Sequence, residues 1–179
     1  CYAESFGKEG AFITKCTAQL MRDFGCIPSP QNAFYLNLGL ESLHVRMPRH
    51  VENAQAAAEF LDAQDKVLKV NYPGLPGNRY HGLAEKYLHG GGCGVVSFEL
   101  SGGRDAAERF MGKLKLIAIE THVADARSCC LHPASSTHRQ LNDSQLAAAG
   151  VAPGLIRVSL GLEDREDLLA DLKHALEAV

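Results

Sequence analysis

The stretch GLIRVSLGLED, residues 154–164, predicts a β-strand that leads into the last helix of the chain. Residues 155–160 are mostly Leu, Ile and Val, which favour extended backbone, and the amphipathic stretch 164–178 follows with helical spacing. Arg157 interrupts the apolar strand at its centre. A guanidinium in such a place needs an anionic partner or must face a cleft.

Two partners for Arg157 are compatible with the residues alone. An Asp or Glu of the same chain would form a structural ion pair. The carboxylate of a ligand would instead match the two parallel donors of the guanidinium. Hydrophobic period and composition by themselves favour the ion pair.

Upstream of this strand, short strands alternate with helices. Apolar patterns predict strands at 67–72 and 94–100, further apolar segments at 116–119 and 127–131, and helices at 80–88, 105–114 and 144–149. The connections are often too short for right-handed crossovers between parallel strands. We therefore expect a largely antiparallel sheet with helices packed on one face.

The beginning of the chain is predicted to be helical. Residues 11–24 have apolar side chains at helical spacing. Ser29 is placed to cap a second helix with Pro30 in its first turn, and this long helix is predicted to reach about residue 64 with a bend at Pro48. Its part before Pro48 is apolar on all sides, so we expect other elements to cover it.

Composition narrows the possible functions. The 179 residues carry 18 Lys+Arg and 21 Asp+Glu, a formal net charge of −3. This balance argues against a partner nucleic acid, and no apolar run approaches the roughly 20 residues that span a membrane. The chain begins with Cys1 in a polar stretch and not with Met, which suggests a processed or excerpted chain.

Three other groups of residues have simpler explanations than a catalytic site. The six cysteines form no C-x-x-C pair and are expected to be buried free thiols in a reducing compartment. The glycines at 90–92 precede a strand and lack a following Lys-Ser/Thr, which argues against a phosphate-binding loop. His132 and His138 flank Pro133, so a histidine-ordered loop is favoured over a metal site.

Two blocks near the C-terminus closely resemble the signature of the Cys/Met-metabolism family of pyridoxal-phosphate enzymes. They are DARSCCLHPASSTH, residues 125–138, and GLIRVSLGLED, residues 154–164. Shorter matches precede them in the same order, among them SPQNAF (29–34), GLESL (39–43), HVENA (50–54) and VNYPGL (70–75). Within the family these residues most resemble those of O-acetylhomoserine sulfhydrylases. Cystathionine γ-synthase, cystathionine lyases and methionine γ-lyase share the same blocks.

The resemblance implies roles for single residues. In this family the arginine of the R-[LV]-S-x-G-x-E block binds the α-carboxylate of the amino-acid substrate, and the match falls on Arg157. The serine before His-Pro-Ala falls on Ser128, which is implied as a second substrate contact. Glu163 and Asp164 are implied to cap the last helix. His122 stands where relatives commonly carry Asn.

The resemblance also implies a cofactor, pyridoxal 5'-phosphate (PLP), and a domain arrangement. The family attaches PLP to a lysine in a Ser-x-Thr-Lys-type block, and none of the eight lysines here lies in such a block. We therefore expect the PLP lysine upstream of Cys1, no catalytic residue in this chain and no metal. Residues 1–47 are then the tail of the large domain with the interdomain helix. Residues 48–179 are the small C-terminal α/β domain of a fold-type I transferase.

The function implied is that of part of a cytoplasmic, homotetrameric enzyme of methionine and cysteine biosynthesis. It would replace the γ-substituent of O-acetylhomoserine by sulfide or a thiol, and the 179 residues alone would be inactive. Two alternatives remain open. One is a cystathionine γ-synthase, cystathionine lyase or methionine γ-lyase activity, and the other is a noncatalytic stand-alone association domain.

Overall fold

The computed structural model describes residues 2–88 and 92–179, so part of the glycine run at 90–92 lies outside it. The chain divides into two compact units, Cys1–Leu43 and His44–Val179. The domain boundary expected between residues 47 and 48 stays a prediction.

The first unit is helical. Its elements are α1 (Tyr2–Lys15), a π-helical stretch (Cys16–Met21), α2 (Arg22–Phe24) and α3 (Pro30–Glu41). Ser29 caps α3 as predicted, since its side chain accepts a hydrogen bond of 3.1 Å from the backbone N–H of Asn32. The expected cover over the apolar helix is not present in the described chain, where Phe34 is 61% and Leu36 68% exposed.

The long bent helix predicted from residue 30 to 64 is in fact two helices. The second, α4 (Leu43–Asp62), is separated from α3 by Ser42, whose φ of −103° and ψ of 1° are not helical. Pro48 lies inside α4. The break therefore falls at Ser42 and not at the proline, consistent with the tendency of serine to hydrogen-bond locally and leave the helix.

The second unit contains a five-stranded sheet with the order β1-β2-β5-β4-β3. Its strands are β1 (Val67–Asn71), β2 (Val95–Leu100), β3 (Ala118–Ile119), β4 (Cys129–Leu131) and β5 (Leu155–Ser159). The pairs β1–β2, β2–β5 and β4–β5 are antiparallel and β3–β4 is parallel, so the prediction of a largely antiparallel sheet is confirmed.

The helices that follow α4 are α5 (His81–Leu88), α6 (Gly103–Met111), α7 (Asp143–Ala148) and α8 (Arg165–Leu176). One core joins α4, α6 and α8 to alternate residues of the strands. In β2, for example, Val96, Phe98 and Leu100 are buried, and Phe98 meets Phe110 of α6 edge to face with ring centroids 5.6 Å apart. The opposite face of the sheet carries Arg157, and the register places Ser97 and the buried Leu131 beside it.

Among the described residues, no helix is both long and apolar enough to cross a membrane.

Candidate carboxylate-binding site

Arg157 lies at the centre of β5 and is half-buried. Its Nη2 donates a hydrogen bond of 2.8 Å to the backbone carbonyl of Thr121. Its Nε is buried and has no hydrogen-bond partner. No Asp or Glu of residues 2–88 and 92–179 forms an ion pair with it, so the ion pair favoured by composition alone is not found among these residues. The guanidinium keeps unused donors for an anion.

A polar row crosses the sheet beside Arg157. The strand register pairs Arg157 with Ser97, and Ser97 with Asn71, which places the three side chains on one face. The Asn71 Nδ2 donates to the Ser97 Oγ over 3.4 Å, and Asn78 continues the row by donating to the Asn71 Oδ1. Nothing in the linear sequence predicted this row, because it depends on strand register.

Ser128 is fully buried and faces the chain itself. Its backbone N–H and hydroxyl donate to the two carboxylate oxygens of Glu163 over 2.6 and 2.9 Å, and its Oγ accepts from the N–H of Gly161 over 2.7 Å. In this arrangement Ser128 ties the start of β4 to the end of β5. Its direct contact with a substrate carboxylate stays a prediction.

Glu163 has a different role from the helix cap that the resemblance implied. Asp164 is the N-cap of α8, accepting from the backbone N–H of Glu166 over 2.8 Å. The prediction is thus confirmed for Asp164 and wrong for Glu163, because the carboxylate of Glu163 is bound to Ser128.

Three side chains of α4 hold the turn that follows β5. The Arg49 Nη2 donates to the Glu163 carbonyl over 3.0 Å, and the Asn53 Nδ2 donates to the carbonyls of Gly161 and Glu163. The Nδ1 of buried His50 lies 2.6 Å from the Leu160 carbonyl, which can only accept, so Nδ1 carries the proton. These contacts fix the turn against α4.

His132 orders the loop after β4, as predicted from its neighbours. It is buried, its Nε2 donates to the Pro153 carbonyl over 2.8 Å, and its Nδ1 lies 2.9 Å from the Ser135 Oγ. The His138 Nδ1 lies 2.9 Å from the Oγ1 of its neighbour Thr137. No cluster of three or more His, Cys, Asp or Glu side chains in the described chain is arranged for a metal ion.

The described cysteines are free thiols, and Cys1 lies outside the described residues. The predicted burial is confirmed for Cys129 and Cys130 but is wrong for Cys26, which is exposed; Cys16 and Cys93 are half-buried. Burial raises the pKa of both adjacent thiols, Cys129 and Cys130, above the ordinary value. They are therefore protonated at neutral pH and pack as apolar side chains.

A sequence model described as Cys/Met metabolism PLP-dependent enzyme matches residues 7–177. The chain belongs to this family.

Two members of the family are similar to this chain over nearly its whole length. O-acetyl-L-homoserine sulfhydrylase 1 of Thermus thermophilus is 47% identical over 97% of this chain and 41% of its own length. L-methionine gamma-lyase of Pseudomonas putida is 41% identical over 94% of this chain and 42% of its own length. The chain thus spans about two fifths of the length of these relatives.

A solved structure supports the fold. The crystal structure described as an O-acetylhomoserine (thiol)-lyase of Campylobacter jejuni has a TM-score of 0.85 and 40% identity to this chain. The match covers 93% of this chain and 39% of that one, which contains a pyridoxyl-lysine. The α/β fold of a fold-type I PLP-dependent enzyme, predicted from the sequence, is confirmed, and the place of these residues as its C-terminal small domain stays a prediction.

The lysines of this family member do not fit the attachment of PLP. All eight lie in the described residues and none is buried. The least exposed, Lys66, donates its Nζ to the Leu176 carbonyl over 2.9 Å. A lysine that forms a Schiff base is normally desolvated or placed beside another cation so that it loses its proton. The lysines present therefore do not fit covalent binding of the cofactor.

Proposed function

We propose that these residues are the substrate-carboxylate part of a cytoplasmic PLP-dependent enzyme that replaces the γ-substituent of O-acetylhomoserine by sulfide or a thiol. The observation that carries the proposal is the guanidinium of Arg157, which has a buried Nε without a partner and no ion pair to a described carboxylate. The 47% identity to a sulfhydrylase favours γ-replacement within the family.

The task of this chain is to position the substrate. The Thr121 carbonyl holds the guanidinium from one side, and the remaining N–H groups donate to the α-carboxylate as a planar fork. A carboxylate held at two points cannot rotate freely, so the Cα–H bond of the amino acid has a fixed direction in the site. Ser128 stays proposed as a second residue on the carboxylate side.

The cofactor is proposed to be attached to a lysine outside these 179 residues. Residues 1–47 then belong to the large domain and the interdomain helix, and residues 48–179 form the small domain of a homotetrameric enzyme. The 179 residues alone are inactive under this proposal, because none of their lysines is buried.

Replacement of Arg157 in the full-length protein tests the proposal. With O-acetylhomoserine and sulfide, Arg157→Ala should lower kcat/KM roughly 30- to 900-fold, because a charged hydrogen-bonded fork is lost. This corresponds to a loss of about 2–4 kcal/mol in transition-state stabilisation. Exposed Arg139 offers a matched control, and Arg139→Ala should leave kcat/KM unchanged. An unchanged kcat/KM in Arg157→Ala would rule the site out.

Elimination is the second candidate reaction, because the lyase of Pseudomonas putida is 41% identical to this chain. Incubation of the full-length protein with methionine, without sulfide, distinguishes the two. Release of a thiol and a keto acid at a rate above that of replacement would favour the lyase. If neither reaction occurs, the noncatalytic association domain becomes the better explanation.

A further inference from the structure

The loop 121–128 between β3 and β4 supplies the backbone group that holds Arg157. It contains Thr121, whose carbonyl accepts from the Arg157 Nη2. It has neither helix nor strand and contains Ala124 with a φ of +58°, the one positive-φ residue other than glycine in the described chain. An L-residue keeps this conformation only where its surroundings hold it.

Contacts from one short segment hold the loop in place. The Ser159 Oγ accepts from the N–H of Ala124 over 3.1 Å, and the N–H of Leu162 donates to the Ala126 carbonyl over 2.8 Å. The carboxylate of Glu163 accepts the two bonds from Ser128. We call Ser159, Leu162 and Glu163 the β5 clasp.

The β5 clasp begins two residues after Arg157 in the chain. Arg157 and Ser159 belong to the same strand, and Arg49 and Asn53 of α4 fix the turn to Glu163 from the other side. The arginine and the carbonyl that orients it are therefore held by one rigid segment. If the clasp is lost, the guanidinium keeps its charge but no longer has a fixed acceptor at Thr121.

We propose that Ser159 and Glu163 are positioning residues for recognition of the substrate carboxylate, acting on Arg157 through the loop 121–128. The inference rests on the proposed function, since it assumes that Arg157 binds this carboxylate. Neither side chain touches the substrate. They fix the direction of the Arg157 donors. Loss of either side chain should therefore weaken the preference of the enzyme for a ligand with a carboxylate over one with a neutral group of the same shape.

The test compares an unreactive amino acid with its amide as competitive inhibitors of the full-length enzyme. Norvaline has the carboxylate, and norvalinamide replaces it by a neutral carboxamide. The measured quantity is the ratio of the two inhibition constants, which does not depend on the fraction of enzyme that is folded. Ser159→Ala and Glu163→Ala should each lower the preference for norvaline roughly tenfold.

Controls separate this role from general stability. Glu163→Gln keeps one acceptor for Ser128 and should retain part of the preference, whereas exposed Glu166→Ala should retain all of it. If Glu163→Ala does not fold, Ser159→Ala decides, because it removes only the bond to Ala124. A full preference in the folded Ser159 and Glu163 variants would overturn the inference.

The Arg157→Ala variant distinguishes the two possible failures. If it keeps the preference for norvaline, the carboxylate site itself is misassigned and the proposed function fails. If it loses the preference while the variants of the β5 clasp keep it, only the positioning role is wrong.

Discussion

At the scale of single residues, Tyr72 connects the end of β1 to the segment just before β2. Its side chain is buried, and its hydroxyl donates to the Cys93 carbonyl over 3.0 Å. Burial, with a smaller contribution from negative charge on the Cys93 thiol, raises the pKa of Tyr72 from 10.0 to about 12. The neutral form is therefore the one that the fold stabilises.

This pKa predicts a loss of stability at alkaline pH. Between pH 10 and about 12 the unfolded chain has released the Tyr72 proton while the folded chain still binds it. Stability from this group is thus complete below pH 10 and falls as the pH rises through that window. In urea unfolding measured against pH, the wild-type protein should lose more free energy of unfolding across this window than Tyr72→Phe does. Exposed Tyr87→Phe serves as the control and should follow the wild type; equal slopes for all three would contradict the assignment.

The residues of the candidate site differ in how far the sequence predicts their contacts. The hydrophobic pattern predicts that Arg157 lies in a strand. It does not predict that Arg157 lacks an ion pair, because this depends on which loop the fold brings beside it. The role of Glu163 is likewise not evident from the sequence. A carboxylate just before a helix is normally taken for a cap, and only the fold brings Ser128, 35 positions away, within hydrogen-bond distance.

At the scale of elements, α8 is attached to the segment before β3 by one carboxylate. Asp171 is buried, and its two oxygens accept the backbone N–H groups of Lys115, Leu116 and Ile117 over 2.8, 3.0 and 2.9 Å. These N–H groups belong to a segment that is neither helix nor strand, so they have no backbone acceptor within a regular element. The side chain thus supplies the acceptors that the backbone lacks.

We expect Asp171→Asn to lower the free energy of unfolding by about 2–3 kcal/mol. The amide presents an NH₂ group to N–H donors, which leaves at least one of them buried without an acceptor. Urea unfolding measures the change, and exposed Asp65→Asn is the control. A loss below the few tenths of a kcal/mol typical of exposed sites would show that the segment rearranges or that water replaces the carboxylate.

Elements themselves were predictable where the signal was local. The strands at β1, β2 and β5 and the cap at Ser29 follow from residue pattern alone. The sequence does not indicate the break at Ser42, because an apolar run continues on both sides of it and the proline six residues later is the stronger local signal. The sheet order places β5 between β2 and β4, and no local pattern indicates such non-sequential pairing.

At the scale of the whole molecule, the two units differ in how much apolar surface they bury. The hydrophobic core begins at Ala54 and ends in the last helix, entirely within the second unit. In the first unit no residue of α1 or α3 is buried, and Phe12, Phe24, Phe34 and Leu36 are 61–75% exposed. Relatives more than twice as long as this chain have further residues that could cover such a surface.

This contrast predicts how the isolated chain behaves in solution. Residues 1–179 should self-associate, because a large exposed apolar surface is covered most readily by another copy when no other partner is present. Residues 44–179 retain the complete core and should remain folded, so they should be monodisperse at the same concentration. Light scattering gives the mass of each species, and circular dichroism shows that the shorter chain is folded. A strictly monomeric 1–179 chain would mean that the helices of the first unit cover their own apolar faces in solution. Association of both chains to the same extent would instead show that the surface responsible for association lies on the second unit.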